Sequence, residues 1–252
     1  MKLFEIVDFL QKAGELDKVS IVGNREVVID GLNLCNRDTV KHRILSFAVS
    51  EKYRDIVINA QHVVAMVVAP KDAEGFIDII QARNGGLVVS EYPEVVFYKM
   101  HEYLYKNTNF YEKYDFLAQI GRECTIDKTA VIEKGIVIGN NVTIGALAVI
   151  KKGSVIDDNT VIGSNSVIGS EGFQVITDKN AVPMHITHAG KCHICANVYI
   201  GDNTCICNSL FEGETYIGKG SKIDNLVHVG HNIYRGKCGN NSPCNFMWVS
   251  AY

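Results

Sequence analysis

An N-terminal α/β domain followed by a parallel β-helix is the fold class this chain predicts, and three observations carry the prediction. Nine isoleucines, Ile120, Ile126, Ile132, Ile138, Ile144, Ile150, Ile156, Ile162 and Ile168, stand six residues apart without a miss. The residue after each is glycine or charged, and the one four positions on is mostly small or β-branched, as at Cys124, Ala130, Ile136, Val142, Ala148, Ser154, Thr160 and Ser166. Before about residue 116 this rhythm is absent, and short apolar stretches alternate with helical patterns.

A period of six suits neither a 3.6-residue helix nor a two-sided strand. A short strand with a turn at its end, repeated three times per coil, does require it, because it stacks the isoleucines into an internal ladder. The second domain is therefore placed at 116–252. Its regular part runs to about residue 235 as roughly five to six coils of about eighteen residues each. The rhythm resumes at Ile194, Ile200 and Ile206, then at Ile217, Ile223 and Val229 after an interval of eleven, which reads as one residue dropped from a due twelve around Phe211 to Thr215. The interruption at 170–191 reads as a loop thrown out from the helix wall, and long loops on a regular scaffold are usually functional.

Residues 1–115 read as a small α/β domain. The opening MKLFEIVDFLQKAGEL has apolar residues at helical spacing, and apolar stretches follow at Val19 to Val22, Glu26 to Ile29, Ile56 to Ile58 and Val63 to Val68. Two helical segments come next, near Ala73 to Arg83 and Pro93 to Tyr105. All four prolines, Pro70, Pro93, Pro183 and Pro243, lie outside the ladder, which needs its backbone donors.

The 252 residues are 47% hydrophobic and 21% charged, with a net charge of −3. No apolar run is long enough for a membrane span, and no basic cluster invites nucleic acid. Glu5, Asp8 and Lys12 interrupt the opening segment as a secretion signal, so a cytoplasmic location with reduced thiols is expected for the eight cysteines. Cys192, Cys195, Cys205 and Cys207 form a CxxC and a CxC that would suit zinc. The repeat accounts for them otherwise, with Cys192 in the inward row and the rest at turns or on the outer wall, and no metal is expected.

In SFAVSEKY, Phe47 and Tyr53 flank a turn. Such a pair can stack on a flat base; the plainer reading makes Phe47 core and Tyr53 surface. A lone histidine in a repeat turn is more often surface than catalyst. Solvated loop positions are expected for His185, His188 and His193.

Three segments together resemble the UDP-3-O-acylglucosamine N-acyltransferase family and its relatives that acylate nucleotide-linked amino sugars. They are SFAVSEKY, Ile168-Gly169-Ser170-Glu171-Gly172-Phe173, and Ile223-Asp224-Asn225-Leu226-Val227-His228-Val229-Gly230-His231-Asn232. The resemblance implies a uridine-binding N-terminal domain, a left-handed β-helix and a homotrimer. It implies His231 as general base, with Phe47 and Tyr53 sandwiching uracil and Ser50 standing where an asparagine is expected. Glu171, Phe173, Asn225, His228 and Asn232 are the further substrate-side candidates, His228 as a contact or a support. The implied reaction moves an acyl group from a thioester of acyl carrier protein or coenzyme A, as co-substrate and without a cofactor, to the amine of a UDP-amino sugar. A histidine, with an ordinary pKa near about 6.5, can accept the amine's proton at neutral pH.

After Val229 the next hexad position is Arg235, and 236–252 has no Ile, Leu or Val at the required steps. The ladder is expected to fail there, with Phe246, Met247, Trp248 and Tyr252 covering its open end. Such a tail weighs against the lipid A reaction itself and toward a relative serving a surface polysaccharide. Two other classes fit the same residues: a non-catalytic trimer that binds a uridine nucleotide, and an O-acetyltransferase of a polysaccharide sugar.

Overall fold

The computed structural model describes residues 1–16, 19–37, 39, 41–235 and 246–247. The chain forms two compact units, Met1–Tyr111 with Gln174–Thr187, and Glu112–Phe173 with His188–Tyr252.

The first unit is a five-stranded sheet flanked by helices. In chain order its elements are α1 (Leu3–Lys12), β1 (Ser20–Gly23), β2 (Gly31–Leu32), β3 (Ile44–Phe47), α2 (Arg54–Asn59), β4 (Val63–Val68), α3 (Ala73–Gln81), β5 (Gly86–Val89) and α4 (Pro93–Asn107). The strand order is β1-β5-β4-β3-β2, with β1 antiparallel to β5 and the other pairs parallel. β4 lies at the centre, and all six of its residues, VVAMVV, are buried, as a strand covered on both faces requires. α1 buries Leu3, Ile6, Val7 and Leu10, the i, i+3, i+4, i+7 stripe of a one-sided helix. The apolar stretch Ile56–Ile58 is part of α2, not a strand: Val57 alone of the three is buried. Glu26 to Ile29 contributes only an isolated bridge between Lys2 and Val28.

The expected loop at 170–191 is divided. Residues 174–187 belong to the first unit, where Val175–Thr177 and Pro183–His185 form an antiparallel hairpin. Within that unit the end of the hairpin segment is tied to α4: Glu102 Oε1 accepts the Thr187 N–H at 2.7 Å, and His101 Nε2 lies 2.8 Å from the Thr187 carbonyl. His101 also bonds the Tyr111 hydroxyl at 2.7 Å, and burial lowers its pKa, so this imidazole is a neutral structural link.

The second unit is a three-sided parallel β-helix. Its first face stacks Gln119–Ile120, Val137–Ile138, Ser154–Ile156, Lys191–Ile194, Glu214–Ile217 and Tyr234–Arg235. The second stacks Thr125–Ile126, Thr143–Ile144, Val161–Ile162, Tyr199–Ile200, Lys222–Ile223 and Phe246–Met247. The third stacks Val131–Ile132, Val149–Ile150, Val167–Ser170, Cys205–Cys207 and His228–Val229. Isoleucine sits on isoleucine in successive coils, as in the series Ile126, Ile144, Ile162, Ile200 and Ile223, until the last coil, where Val229 follows Ile206. The second inward row is also buried, with Ile136, Val142, Ala148, Ser154, Thr160 and Ser166 all fully enclosed. Buried hydroxyls are satisfied by the next coil: Thr160 donates to the Cys195 carbonyl at 3.0 Å, and Ser166 to that of Gly201 at 2.7 Å.

Strand pairing corrects two expectations. Ile206 lies on the third face and Ile217 on the first, so eleven residues stand where six would suffice. Five residues are added there; none is dropped. The ladder also continues in the backbone past Val229, since Tyr234–Arg235 pairs with Tyr216–Ile217 and Phe246–Met247 pairs with Lys222–Ile223. Trp248 and Tyr252 lie outside the described residues.

Corners bend through a residue of positive φ two positions before a strand, taken by asparagine at 141, 159, 165 and 203 and by Leu147 (φ 58°) and Leu226 (φ 60°). Asparagine tolerates this region; leucine strains in it. All three corners are stitched by side chains to the next coil, the one between the third and first faces by Glu133 Oε2, which accepts the Lys152 N–H at 2.9 Å. Asn140 N–H donates to Asp158 Oδ1 between the first and second faces, and Ser164 N–H donates to Asp202 Oδ1 between the second and third, both at 2.6 Å.

Ile144→Asp buries an unpaired carboxylate between coils and should abolish soluble folding; a soluble variant of parental Tm would contradict the ladder. Leu147→Asn, at an exposed position of positive φ, should raise stability by about 1 kcal/mol, measured by urea denaturation.

Candidate active site

Both insertions in the second unit leave from one corner, between the third face and the first. Ile168 and Ile194 bracket the longer one and Ile206 and Ile217 the shorter, while in the next coil the corner is only Gly230-His231-Asn232-Ile233. Coil stacking therefore brings Gly172 and His188, from the two ends of the long insertion, next to Ser209 and Leu210 of the short one and to His231 and Asn232. The shorter insertion is anchored by the longer: Ala189 N–H donates to the Leu210 carbonyl and Gly190 N–H to that of Ser209. Leu210 and Phe211 are buried beneath this corner.

His231 is held by its neighbour. Its Nδ1 lies 2.8 Å from Asn232 Oδ1, which also accepts the Leu210 N–H at 3.1 Å. The Asn232 amide nitrogen donates to Ser209 Oγ at 2.7 Å, and its backbone N–H to Thr215 Oγ1 at 3.0 Å. Because the Leu210 N–H can only donate, the side facing it is the amide oxygen, and that assigns the ring. Nδ1 carries the proton and Nε2 the lone pair. Asn232 itself adopts φ 57°, a left-handed conformation that asparagine tolerates.

The His188 ring meets the His231 ring edge-on at 5.0 Å between centroids. His188 is only 4% exposed, so it is not the solvated loop residue that was expected. Gly172 lies against both imidazoles: a Cβ there would stand 2.7 Å from His188 Nε2 and 2.8 Å from His231 Cδ2. Only glycine lets the backbone pass so close. Gly230, by contrast, has open space where a side chain would be. Glu171 and Phe173 flank Gly172 and are exposed, Phe173 at 83%.

Other predicted residues lie elsewhere. Asn225 sits at the corner between the second and third faces, where its Oδ1 accepts the Asp202 N–H at 2.6 Å. It is a coil stitch, not a neighbour of His231. His228 lies on the outer side of the third face, its Nε2 3.3 Å from Cys207 Sγ. His193 is bound between carboxylates, 3.1 Å from Asp157 and 3.5 Å from Glu214, and His185 is on the hairpin of the first unit. Of the four zinc-like cysteines, Cys192 is in the inward row as expected, while Cys207, on the outward side of its strand, is buried and not exposed. Burial pushes the Cys192 thiol up. The Cys207 thiol, which donates a hydrogen bond to the Cys205 sulfur, holds Cys205 down at about 6 while its own pKa rises.

In the first unit, Phe47 ends β3 and packs on α4, its ring 4.8 Å from Phe97 and 5.9 Å from Tyr98. Ser50 Oγ accepts the Lys52 N–H, capping a short turn of 3₁₀ helix at Glu51–Tyr53, and Tyr53 is 36% exposed. The local fold thus uses Ser50 as a cap and half of Phe47 as core.

The bacterial transferase hexapeptide (six repeats) family matches residues 118–152 and 135–170. UDP-3-O-acylglucosamine N-acyltransferase 1 of Francisella tularensis is 44% identical over 70 residues, 27% of this chain and 20% of that protein. The UDP-3-O-acylglucosamine N-acyltransferase of Helicobacter pylori is 44% identical over 69 residues, again 27% and 20%. The matched part thus spans about a fifth of the length of these curated relatives. Among solved structures, an Arabidopsis UDP-N-acetylglucosamine acyltransferase is 21% identical over 46% of each chain, with a TM-score of 0.26. A mutant of perosamine N-acetyltransferase from Caulobacter crescentus, in complex with CoA and GDP-perosamine, is 11% identical over 71% of this chain and 67% of that one, with a TM-score of 0.21. Repeat, strand ladder and sequence identity agree: the coils are hexapeptide repeats of the bacterial transferase kind, and the chain carries a segment homologous to the UDP-3-O-acylglucosamine N-acyltransferases.

Proposed function

We propose that this chain is an N-acyltransferase that moves an acyl group from a thioester, on acyl carrier protein or coenzyme A, to the amine of a UDP-linked amino sugar. The observation that carries the reading is the Nδ1 bond of His231 to Asn232, which leaves Nε2 as a proton acceptor. As the amine nitrogen bonds to the thioester carbon, Nε2 takes the nitrogen's proton; the tetrahedral oxyanion then collapses, the C–S bond breaks, and the thiolate leaves with a proton. The oxyanion needs donors, and the open backbone at Gly230 beside His231 is where a carbonyl can approach closely.

Asn232 positions the base, and His188 with Gly172 walls it in. Exposed Glu171 and Phe173 are offered to the sugar or the acyl chain. His228 serves as a support residue. Phe47 has one ring face committed to α4 and can give the other to uracil, with Tyr53 as its partner across the Ser50 turn. The coils are read as left-handed and the working assembly as a homotrimer, in line with the resemblance. Among the described residues no helix is long and apolar enough to cross a membrane.

Purified protein incubated with UDP-amino sugars and acyl thioesters should release free thiol and form an amide. An ester product would instead indicate O-acylation, and UDP binding without any thiol release would indicate a non-catalytic nucleotide-binding protein. His231→Ala should lower the chemical step by about a hundredfold to ten-thousandfold with UDP affinity nearly unchanged. Phe47→Ala and Tyr53→Ala should each weaken UDP binding by roughly 1 to 3 kcal/mol in calorimetry. Asn232→Ala leaves the Leu210 N–H and His231 Nδ1 without their acceptor; it should cost about 1 to 3 kcal/mol of stability and lower kcat more than it raises KM.

A further inference from the structure

We infer that Cys205, Cys207 and His228 form a binding site for a thiophilic divalent cation of the zinc class on the third face of the β-helix. The argument begins with register. On that face the residue just before each inward aliphatic points outward, and the outer column reads Val131, Val149, Val167, Cys205, His228. Neighbouring strands lie about 4.8 Å apart, so Cys205 and His228, direct partners in register, present their side chains side by side. Cys207 follows Cys205 by two residues and so returns to the same side of the strand. Three coils of valine thus give way to two ligand-type residues, and the next position along the same strand supplies a third.

The distances suit one ion. The two sulfurs and a His228 ring nitrogen all lie within 4.8 Å of one another, and Cys207 Sγ is 3.3 Å from Nε2. Zinc bonds of about 2.3 Å to sulfur and 2.0 to 2.1 Å to nitrogen place tetrahedral ligands roughly 3.5 Å apart, so small side-chain rotations close the set. Two thiolates and an imidazole favour zinc over oxygen-seeking cations such as magnesium or calcium. Cys207 is buried, Cys205 half-buried and His228 exposed, a gradient that leaves the fourth coordination position toward solvent. A second group, Asp157, His193 and Cys195, is also close enough together. It is the weaker candidate, because both ring nitrogens of His193 already face carboxylates.

The site would tie two successive coils together one residue-triplet before His231, so His228 would support the candidate active corner as a metal ligand and not as a substrate contact. It does not depend on the acyl-transfer reading, since its test reads metal binding alone. Full-length protein, stripped with a chelator and titrated with Zn²⁺ against a chromophoric zinc indicator, should take up one equivalent per chain. Co²⁺ in its place should give thiolate-to-cobalt charge-transfer absorption in the near ultraviolet. Cys207→Ser and His228→Gln should each weaken Zn²⁺ binding by at least about tenfold, and His193→Gln should leave it unchanged. Zn²⁺ should raise the Tm of the parent but not of His228→Gln, a substitution at an exposed position that removes no core packing. The inference is overturned if the stripped protein does not compete with the indicator, if either ligand variant binds as the parent does, or if His193→Gln loses the ion instead.

Discussion

A coil of the second unit has almost no interior of its own. Three inward aliphatics and three small residues cannot enclose one another within a single turn of about eighteen residues, so each coil is buried only by the coils above and below it. Everything else in the unit follows from keeping that stack in step. Isoleucine must sit on isoleucine, backbone donors must meet the carbonyls of the next coil, and any change in the length of a turn must fall where it disturbs neither. Stitching by asparagine and aspartate at two corners enforces this, because each side chain caps the backbone of the adjacent coil.

Under that constraint the candidate active corner is a product of phase. His231 stands in a short turn with little to hold it, and the two insertions above it supply the walls. Gly172 and His188 reach it from the ends of one, and Ser209 and Leu210 fix Asn232 from the other. The asparagine is the hinge of the arrangement. It satisfies one backbone donor, one hydroxyl and one imidazole with a single amide, so the orientation of the His231 ring is coupled to the packing of the neighbouring coil.

The ladder and its inward rows were legible in the sequence because they repeat, and repetition is visible without knowing any contact. His231 was legible through a motif, and its immediate partner Asn232 lay within it. What escaped was phase across an interruption. Eleven residues between Ile206 and Ile217 can be one short of two steps or five beyond one, and spacing alone does not decide between them. The first choice separates Cys205 from His228 by a face; strand pairing puts them in one column. His188 escaped for the same reason, since a position next to His231 is apparent only once both ends of the long insertion are known to share a corner. In the first unit the conformation of Ile56–Ile58 was not legible: three apolar residues in a row carry no period, and the structure places them in the helix that follows the turn capped by Ser50.

The confinement of both insertions to one corner makes the prism unequal along its three edges. All three edges are sewn by side chains, but only the third, stitched at Lys152 and Leu210, also lets chain out without shifting the register of any face. Variation in this architecture would accumulate along that line, coil by coil, and each added segment would arrive next to whatever the adjacent coils already expose there. A scaffold of this kind can acquire a new pocket by lengthening one turn, while the ladder that keeps it folded is left as it was.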